Sequence, residues 1–230
     1  MSDVAHSTNN NTLLISMHME KCGGTSLDRL LRDEYADGFH LYDRGEAKRD
    51  NEPALPAGIS CLHGHMFYGL HEKFPRSQCE YITLLRDPVD RFLSNFEHVC
   101  NYEHPLHSMA IGENGLQDFC VDPQARHYRD LFVRRLSGVW DEIEEVDLIR
   151  AEDNLRKFSV IGWLDQVDDF IDACADRFGW KQRLLSYQNR TPGQRRKIDD
   201  LDPGLRQQVL AANDWDRKLM LRVTDLLPRA

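Results

Sequence analysis

The chain has 230 residues, 41% hydrophobic and 29% charged, enough apolar content for one compact α/β core and unlike a low-complexity or disordered segment. Lysine and arginine number 29 against 38 aspartates and glutamates, a net charge of −9 that argues against a dedicated nucleic-acid binder and makes any anion site local. No stretch has the apolar length of a membrane span and the polar start, Met1 to Asn11, lacks signal-peptide order, so a soluble cytoplasmic protein is expected.

The expected organisation is a disordered or polar tail over 1–11 and a single domain over 12–230. Thr12 to Met19 is a short apolar run closed by Glu20-Lys21-Cys22-Gly23-Gly24-Thr25-Ser26, which predicts a buried strand entering a glycine turn. Leu27, Leu30 and Leu31 then recur at helical spacing up to Tyr35. Ala36 to Gly58 is polar and broken by glycines and prolines, the signature of a long connection. Ile59 to His65 and Glu80 to Leu85 predict two further strands, the second followed at once by Arg86-Asp87-Pro88. Asp87 suits a helix cap and Pro88 the first helical position, with Val89, Phe92, Leu93 and Phe96 on the helix that follows.

Residues 101–128 read as an irregular, mobile loop or lid carrying His104, His107 and His127. Leu148, Ala151 and Leu155 mark a helix, Phe158 to Trp163 a strand, and Val167 to Phe178 a well-patterned helix. The segment from Leu185 to the end opens on a basic stretch and finishes as one or two helices. Strand-to-helix units of this kind imply a single α/β domain, a mostly parallel sheet with helices on both faces. The six cysteines, Cys22, Cys61, Cys79, Cys100, Cys120 and Cys174, have no C-x-x-C spacing and are expected to be reduced thiols.

Three clusters can carry chemistry. Lys21, Cys22, Gly23, Gly24, Thr25 and Ser26, between strand and helix, have the ingredients of an anion cradle: glycines admit close approach and the helix start offers amides and positive dipole. The Walker order is absent, since Lys21 precedes both glycines, and a plain tight turn would also explain Gly23, Gly24 and Ser26. Arg86 and Ser94, where a strand end meets a helix start, could grip a second phosphate, or Arg86 and Arg91 could pair with Asp87, Asp90 or Glu97 at the surface. His63 and His65 suit general-base work, with His63 the better candidate for a buried core histidine. His71 or His18 could join them at a metal, but no H-E-x-x-H, cysteine pair or acidic triad is present, and no metal is expected.

Lys21 before Gly-Gly-Thr-Ser, the His63-Gly64-His65 segment, and Leu85-Arg86-Asp87-Pro88-Val89 with Arg91 and Ser94 together resemble the carbohydrate sulfotransferases that use 3'-phosphoadenosine 5'-phosphosulfate (PAPS). The branch holding heparan and uronyl 2-O-sulfotransferases is the most similar. The likeness extends to Ile161 through Phe170 and to the tail from Asn189-Arg190-Thr191 to Asn213-Asp214-Trp215-Asp216. The resemblance implies that the Lys21–Ser26 loop holds the 5'-phosphosulfate and that Arg86 and Ser94 hold the 3'-phosphate. It implies a P-loop-like three-layer fold, His65 as catalytic base and adenosine 3',5'-bisphosphate as product. Glu20-Lys21-Cys22 departs from the Pro-Lys-Thr of relatives, losing a hydroxyl at Cys22 while its amide is expected to remain available. Golgi placement and a heparan substrate do not carry over to an acidic chain of this size, and a bacterial-type cytoplasmic enzyme fits better.

The implied reaction is in-line sulfuryl transfer to a hydroxyl, with Lys21 and the amides of residues 22–26 stabilising the leaving oxygen and His65 taking the acceptor proton. A carbohydrate is the expected acceptor, drawing on Tyr42, Arg44, Lys48, Arg49, Phe67, Tyr68, His104, His107 and Arg126, with a lipid, a polyketide-type metabolite or a small phenol as the alternatives. Arg190, Arg195, Arg196 and Lys197 read either as a flap over the nucleotide or as a solvated turn. A homodimer is the default assembly. Two other classes stay open: a P-loop nucleotide kinase or phosphotransferase, whose Walker order is missing, and a non-catalytic nucleotide- or glycan-binding protein.

Overall fold

The computed structural model describes residues 12–42, 57–73, 78–181 and 196–226. The tail 1–11, Arg44, Lys48, Arg49 and the stretch from Asn189 to Arg195 lie outside the described residues. In chain order the strands are β1 (Thr12–Met17), β2 (Phe39–Tyr42), β3 (Cys61–Gly64), β4 (Gln78–Leu85) and β5 (Val160–Trp163). The first helices are α1 (Gly24–Tyr35), α2 (Pro88–Asn101), α3 (His107–Ala110), α4 (Gly115–Val121) and α5 (Leu131–Ser137). After them come α6 (Glu145–Leu155), α7 (Val167–Phe178), α8 (Pro203–Ala211) and α9 (Asp214–Arg222). Among the described residues no helix is long and apolar enough to cross a membrane.

The chain divides into two compact units, bounded as Met1–Leu85 with Lys157–Asn189 and as Arg86–Arg156 with Arg190–Ala230. The first contains a five-stranded parallel sheet in the order β2-β3-β1-β4-β5. Leu13 to Met17 are all buried, so successive side chains of β1, which point to opposite faces, are covered on both. This is the α/β class expected from the sequence. β2 is an addition, an edge strand at the head of what reads as loop 36–58, recruited by pairing with β3 despite its short length. Its Tyr42 carbonyl would stand 2.3 Å from a Cβ on Gly64, so β3 closes with the one residue that admits that approach. At the other edge, Gly162 lets α7 press Phe170 onto β5, where a Cβ would fall 2.5 Å from the Phe170 Cβ.

The second unit is helical. Asp87 caps α2 by accepting from the Val89 and Asp90 amides at 3.0 Å each, and Pro88 opens the helix, as the sequence predicts. The irregular lid expected over 101–128 is corrected here: it contains α3, α4 and a 3-10 turn over Pro123–Tyr128. Leu106, Ala110, Leu116, Phe119, Cys120 and Ala125 share an apolar core with Val89, Phe92, Leu93, Phe96 and Val99 of α2. Gly115, a loop breaker by composition, is a contact point, since a Cβ there would lie 2.0 Å from the Ala110 carbonyl oxygen. α8 and α9 are the two terminal helices expected from the sequence.

One junction organises this unit. Asp130 precedes α5, and its Oδ1 accepts from the Trp215 and Asp216 amides of α9 at 2.8 and 3.1 Å. Asp216 in turn accepts from the Phe132 and Val133 amides of α5 at 3.1 and 2.9 Å. Each helix start is therefore satisfied by a carboxylate belonging to the other.

Candidate active site

Two of the three candidate clusters, Lys21–Ser26 and His63 with His65, lie at the carboxyl ends of β1 and β3, where parallel sheets characteristically bind ligands. After β1 the chain turns through Lys21 at φ 66° and Gly23 at φ 81° before α1 begins at Gly24. A left-handed conformation at a lysine carries backbone strain that functional loops concentrate. Lys21 is half-buried, Ser26 is buried and Thr25 is exposed. α1 has no acidic residue in its first turn and no side chain capping it, so its positive end is left for an anion. The residues present fit a phosphosulfate on that ground.

Cys22 requires a correction. Its amide donates to the Met19 carbonyl at 3.2 Å and its thiol contacts the Glu20 carbonyl at 3.7 Å, with the side chain 1% exposed. The amide expected to face the donor is engaged inside the turn, and the cysteine packs there as a small apolar group. All six cysteines are unpaired thiols.

His65 follows β3 directly. Its Nδ1 lies 3.2 Å from the His18 carbonyl oxygen, which can only accept, so the proton sits on Nδ1 and the Nε2 lone pair remains for base chemistry. Burial holds its pKa below the usual 6.5, partly offset by that hydrogen bond, so the imidazole is neutral at pH 7. The Glu20 carboxylate stands 3.8 Å from the same Nδ1.

His63 is the core histidine the sequence favours. It is 1% exposed and its Nδ1 is 2.9 Å from the Ser16 hydroxyl. Burial drives its pKa down to about 4. The unfolded chain binds the proton near 6.5 and the folded chain resists it, so stability is present above pH 6.5 and is lost as pH falls towards 4. That difference amounts to about 3 kcal/mol by pH 4. Urea midpoints measured across this window should therefore fall less steeply in His63→Gln than in the wild type, and an unchanged slope would remove His63 from the acid response.

His18 joins the two histidines of the His63-Gly64-His65 segment. Its ring stacks on His63 at 5.4 Å and on His65 at 4.5 Å between centroids, and its amide donates to the Gly64 carbonyl at 2.9 Å. A Cβ on Gly24 would reach within 1.8 Å of the His18 ring, so the second loop glycine makes room for this stack. The available signal was positional: His18 follows β1 as His65 follows β3, and the observed register pairs Ser16 with His63. Among the described residues no group of three or more His, Cys, Asp or Glu is arranged to hold a metal ion.

In the second unit, Arg86 is mostly buried and its Nη2 lies 3.9 Å from Asp90, the loose pairing the sequence leaves open. Ser94 is half-buried on α2, one helical repeat beyond Asp90 and so on the same face. Arg91 behaves differently from either surface reading. It is 0% exposed and donates to the Tyr128 carbonyl at 2.8 Å and to Asn213 Oδ1 at 3.3 Å.

Several acceptor candidates prove to be internally engaged. His104 Nε2 meets the Tyr128 hydroxyl at 2.8 Å, His107 Nδ1 meets the Val99 carbonyl at 3.0 Å, and Tyr42 is buried. Of the basic run, Arg196 lies over the Phe96 ring at 5.2 Å and its amide donates to Glu97. Lys197 opens the 3-10 turn Ile198–Asp200, its amide donating to Asp200 Oδ2 at 3.2 Å.

A family model described as "Sulfotransferase family" matches residues 7–220. No curated protein matches the chain.

Proposed function

The chain belongs to the sulfotransferase family, and from that premise we propose that it transfers a sulfuryl group from PAPS to a carbohydrate hydroxyl with His65 as general base. The observation that carries this reading is His65, its tautomer set by the His18 carbonyl, stacked on a His18 ring that lies against Gly24 at the uncapped start of α1. The Lys21 side chain and the first-turn amides of α1 hold the 5'-phosphosulfate, with Arg86 and Ser94 assigned to the 3'-phosphate. Bound there, the nucleotide supplies an activated sulfuryl group and a stable leaving phosphate. His65 Nε2 takes the proton of the acceptor hydroxyl as its oxygen becomes a nucleophile. Lys21 and the helix start place positive potential where negative charge grows on the leaving oxygen, an electrostatic role that needs no proton transfer.

The reading treats residues 12–230 as one catalytic domain of the 2-O-sulfotransferase-like branch, and the unpaired thiols support a reducing, cytoplasmic setting. Calorimetric titration with adenosine 3',5'-bisphosphate, 5'-AMP and magnesium-free ATP tests the donor assignment. Selective binding of the bisphosphate is expected, while preference for ATP would return the chain to a phosphotransferase reading. Arg86→Ala should cost the bisphosphate about 1.5–3 kcal/mol of binding and 5'-AMP much less, because a charge-assisted bond to the 3'-phosphate is lost. Equal losses for both nucleotides would place Arg86 away from that phosphate.

A further inference from the structure

Three histidines of the first unit form one stack that runs outwards from the core. His63 is buried, whereas His18 and His65 are half-buried. The His18 ring touches both of the others, with centroids 5.4 Å and planes 13° from His63 and 4.5 Å and 27° from His65. These separations are those at which aromatic rings attract by offset stacking. His63 gives the stack a fixed inner end, because its Nδ1 meets the Ser16 hydroxyl at 2.9 Å.

A hydrogen bond fixes the edge of a ring and leaves its plane free to rock about the line between donor and acceptor. A stacked neighbour fixes the plane. His65 receives both constraints from one residue: the His18 carbonyl, 3.2 Å from Nδ1, sets the edge, and the His18 ring sets the plane. Together they decide where Nε2 points. His18 is itself held on two further sides. Its amide donates to the Gly64 carbonyl at 2.9 Å, which ties its backbone to the end of β3. Its ring edge rests against the start of α1, where a Cβ on Gly24 would fall 1.8 Å from Cε1 and 2.0 Å from Nε2. The same ring therefore touches the candidate base and the backbone of the candidate donor loop.

We propose that His18 is a positioning residue for the transfer, its ring holding the His65 imidazole at a fixed place relative to the start of α1. This rests on the reading of His65 as base and of the loop from Lys21 as donor site. In-line transfer needs the acceptor oxygen between His65 Nε2 and the sulfur, and a displacement of about 1 Å is enough to cost about a hundredfold in rate. His18 does this without contact to either substrate.

The test compares His18→Ala, His18→Phe and His65→Ala in the full chain by three measurements: transfer from labelled PAPS to a panel of methyl glycosides, calorimetric titration with adenosine 3',5'-bisphosphate, and histidine NMR of the ligand-free protein. His18→Ala is expected to lower kcat about 10- to 100-fold and to leave the bisphosphate Kd within about twofold of the wild type. Its His65 Cε1–H signal should move downfield as the shielding ring is lost. His18→Phe keeps a flat ring without titratable nitrogens, and should return most of kcat together with the upfield signal. Unchanged kcat in His18→Ala beside an inactive His65→Ala would overturn the proposal and leave the base in place. An unmoved His65 signal would overturn it as well, since the stack would then be absent in solution. Equal losses of kcat and bisphosphate affinity would make His18 a support of the loop and not of the base. No recovery in a stably folded His18→Phe would transfer the requirement to the imidazole nitrogens and end the positioning role. Full turnover in His65→Ala would instead be the failure of the base reading, and is seen without any change at His18.

Discussion

His65→Ala is expected to lower kcat by about 10²- to 10⁴-fold while leaving the affinity for adenosine 3',5'-bisphosphate nearly unchanged. The asymmetry follows from the assigned role, since His65 acts on the acceptor proton and the loop from Lys21 binds the nucleotide. The pH profile should agree: burial keeps the His65 pKa below 6.5, so the acid limb of kcat should lie below that pH and disappear in the variant. Labelled-sulfate transfer measured under donor saturation decides the matter. Full turnover in His65→Ala would move the base elsewhere, with Glu20 at 3.8 Å the next group to test.

The largest effect on stability is expected from Arg91→Met. Its guanidinium lies 5.5 Å from the Phe132 ring centroid, donates to Tyr128 and Asn213, and is the strongest influence favouring the charged form of the fully buried Asp216. Removing it takes away the hydrogen bonds to Tyr128 and Asn213 and the charge that most opposes the burial-driven rise in the Asp216 pKa, a change worth about 3–5 kcal/mol. The Asp216 cap on α5 and the Asp130 cap on α9 should weaken together. Arg150→Met, whose exposed guanidinium pairs with Asp147 at 3.3 Å, should cost less than about 1 kcal/mol. Denaturant unfolding of the two variants separates the cases, and similar losses in both would remove the special standing of Arg91.

Much of the sheet was legible because its strands are short apolar runs bounded by glycine or by Arg-Asp-Pro, signals that local chemistry imposes. The loop before α1 and the Asp87 cap of α2 were legible for the same reason: backbone freedom and amide satisfaction are written in single residues. β2 was not, because Phe39 to Tyr42 becomes a strand only by pairing with β3. The helices within 101–128 were obscured by Gly112, Gly115 and Pro105, whose local preference is overridden by the apolar core around Phe119. At the site, His65 could be singled out as a base, but the His18 stack depends on register between strands far apart in sequence. Arg91 shows the reverse limit: charge at a helix position suggests water, and only the fold reveals the Tyr128 carbonyl and the Asn213 amide oxygen that accept from it.

β5 adds to the sheet beside β4, yet the whole stretch Arg86–Arg156 separates them in sequence. During synthesis the hydrogen-bonding edge of β4 therefore stays open until that stretch has left the ribosome, a long-range closure that slows folding and exposes a template for misplaced strands. Expression at lower temperature or with chaperone supply should raise the soluble yield by protecting that open edge, which makes the insertion between β4 and β5 a hazard for production as well as an element of architecture.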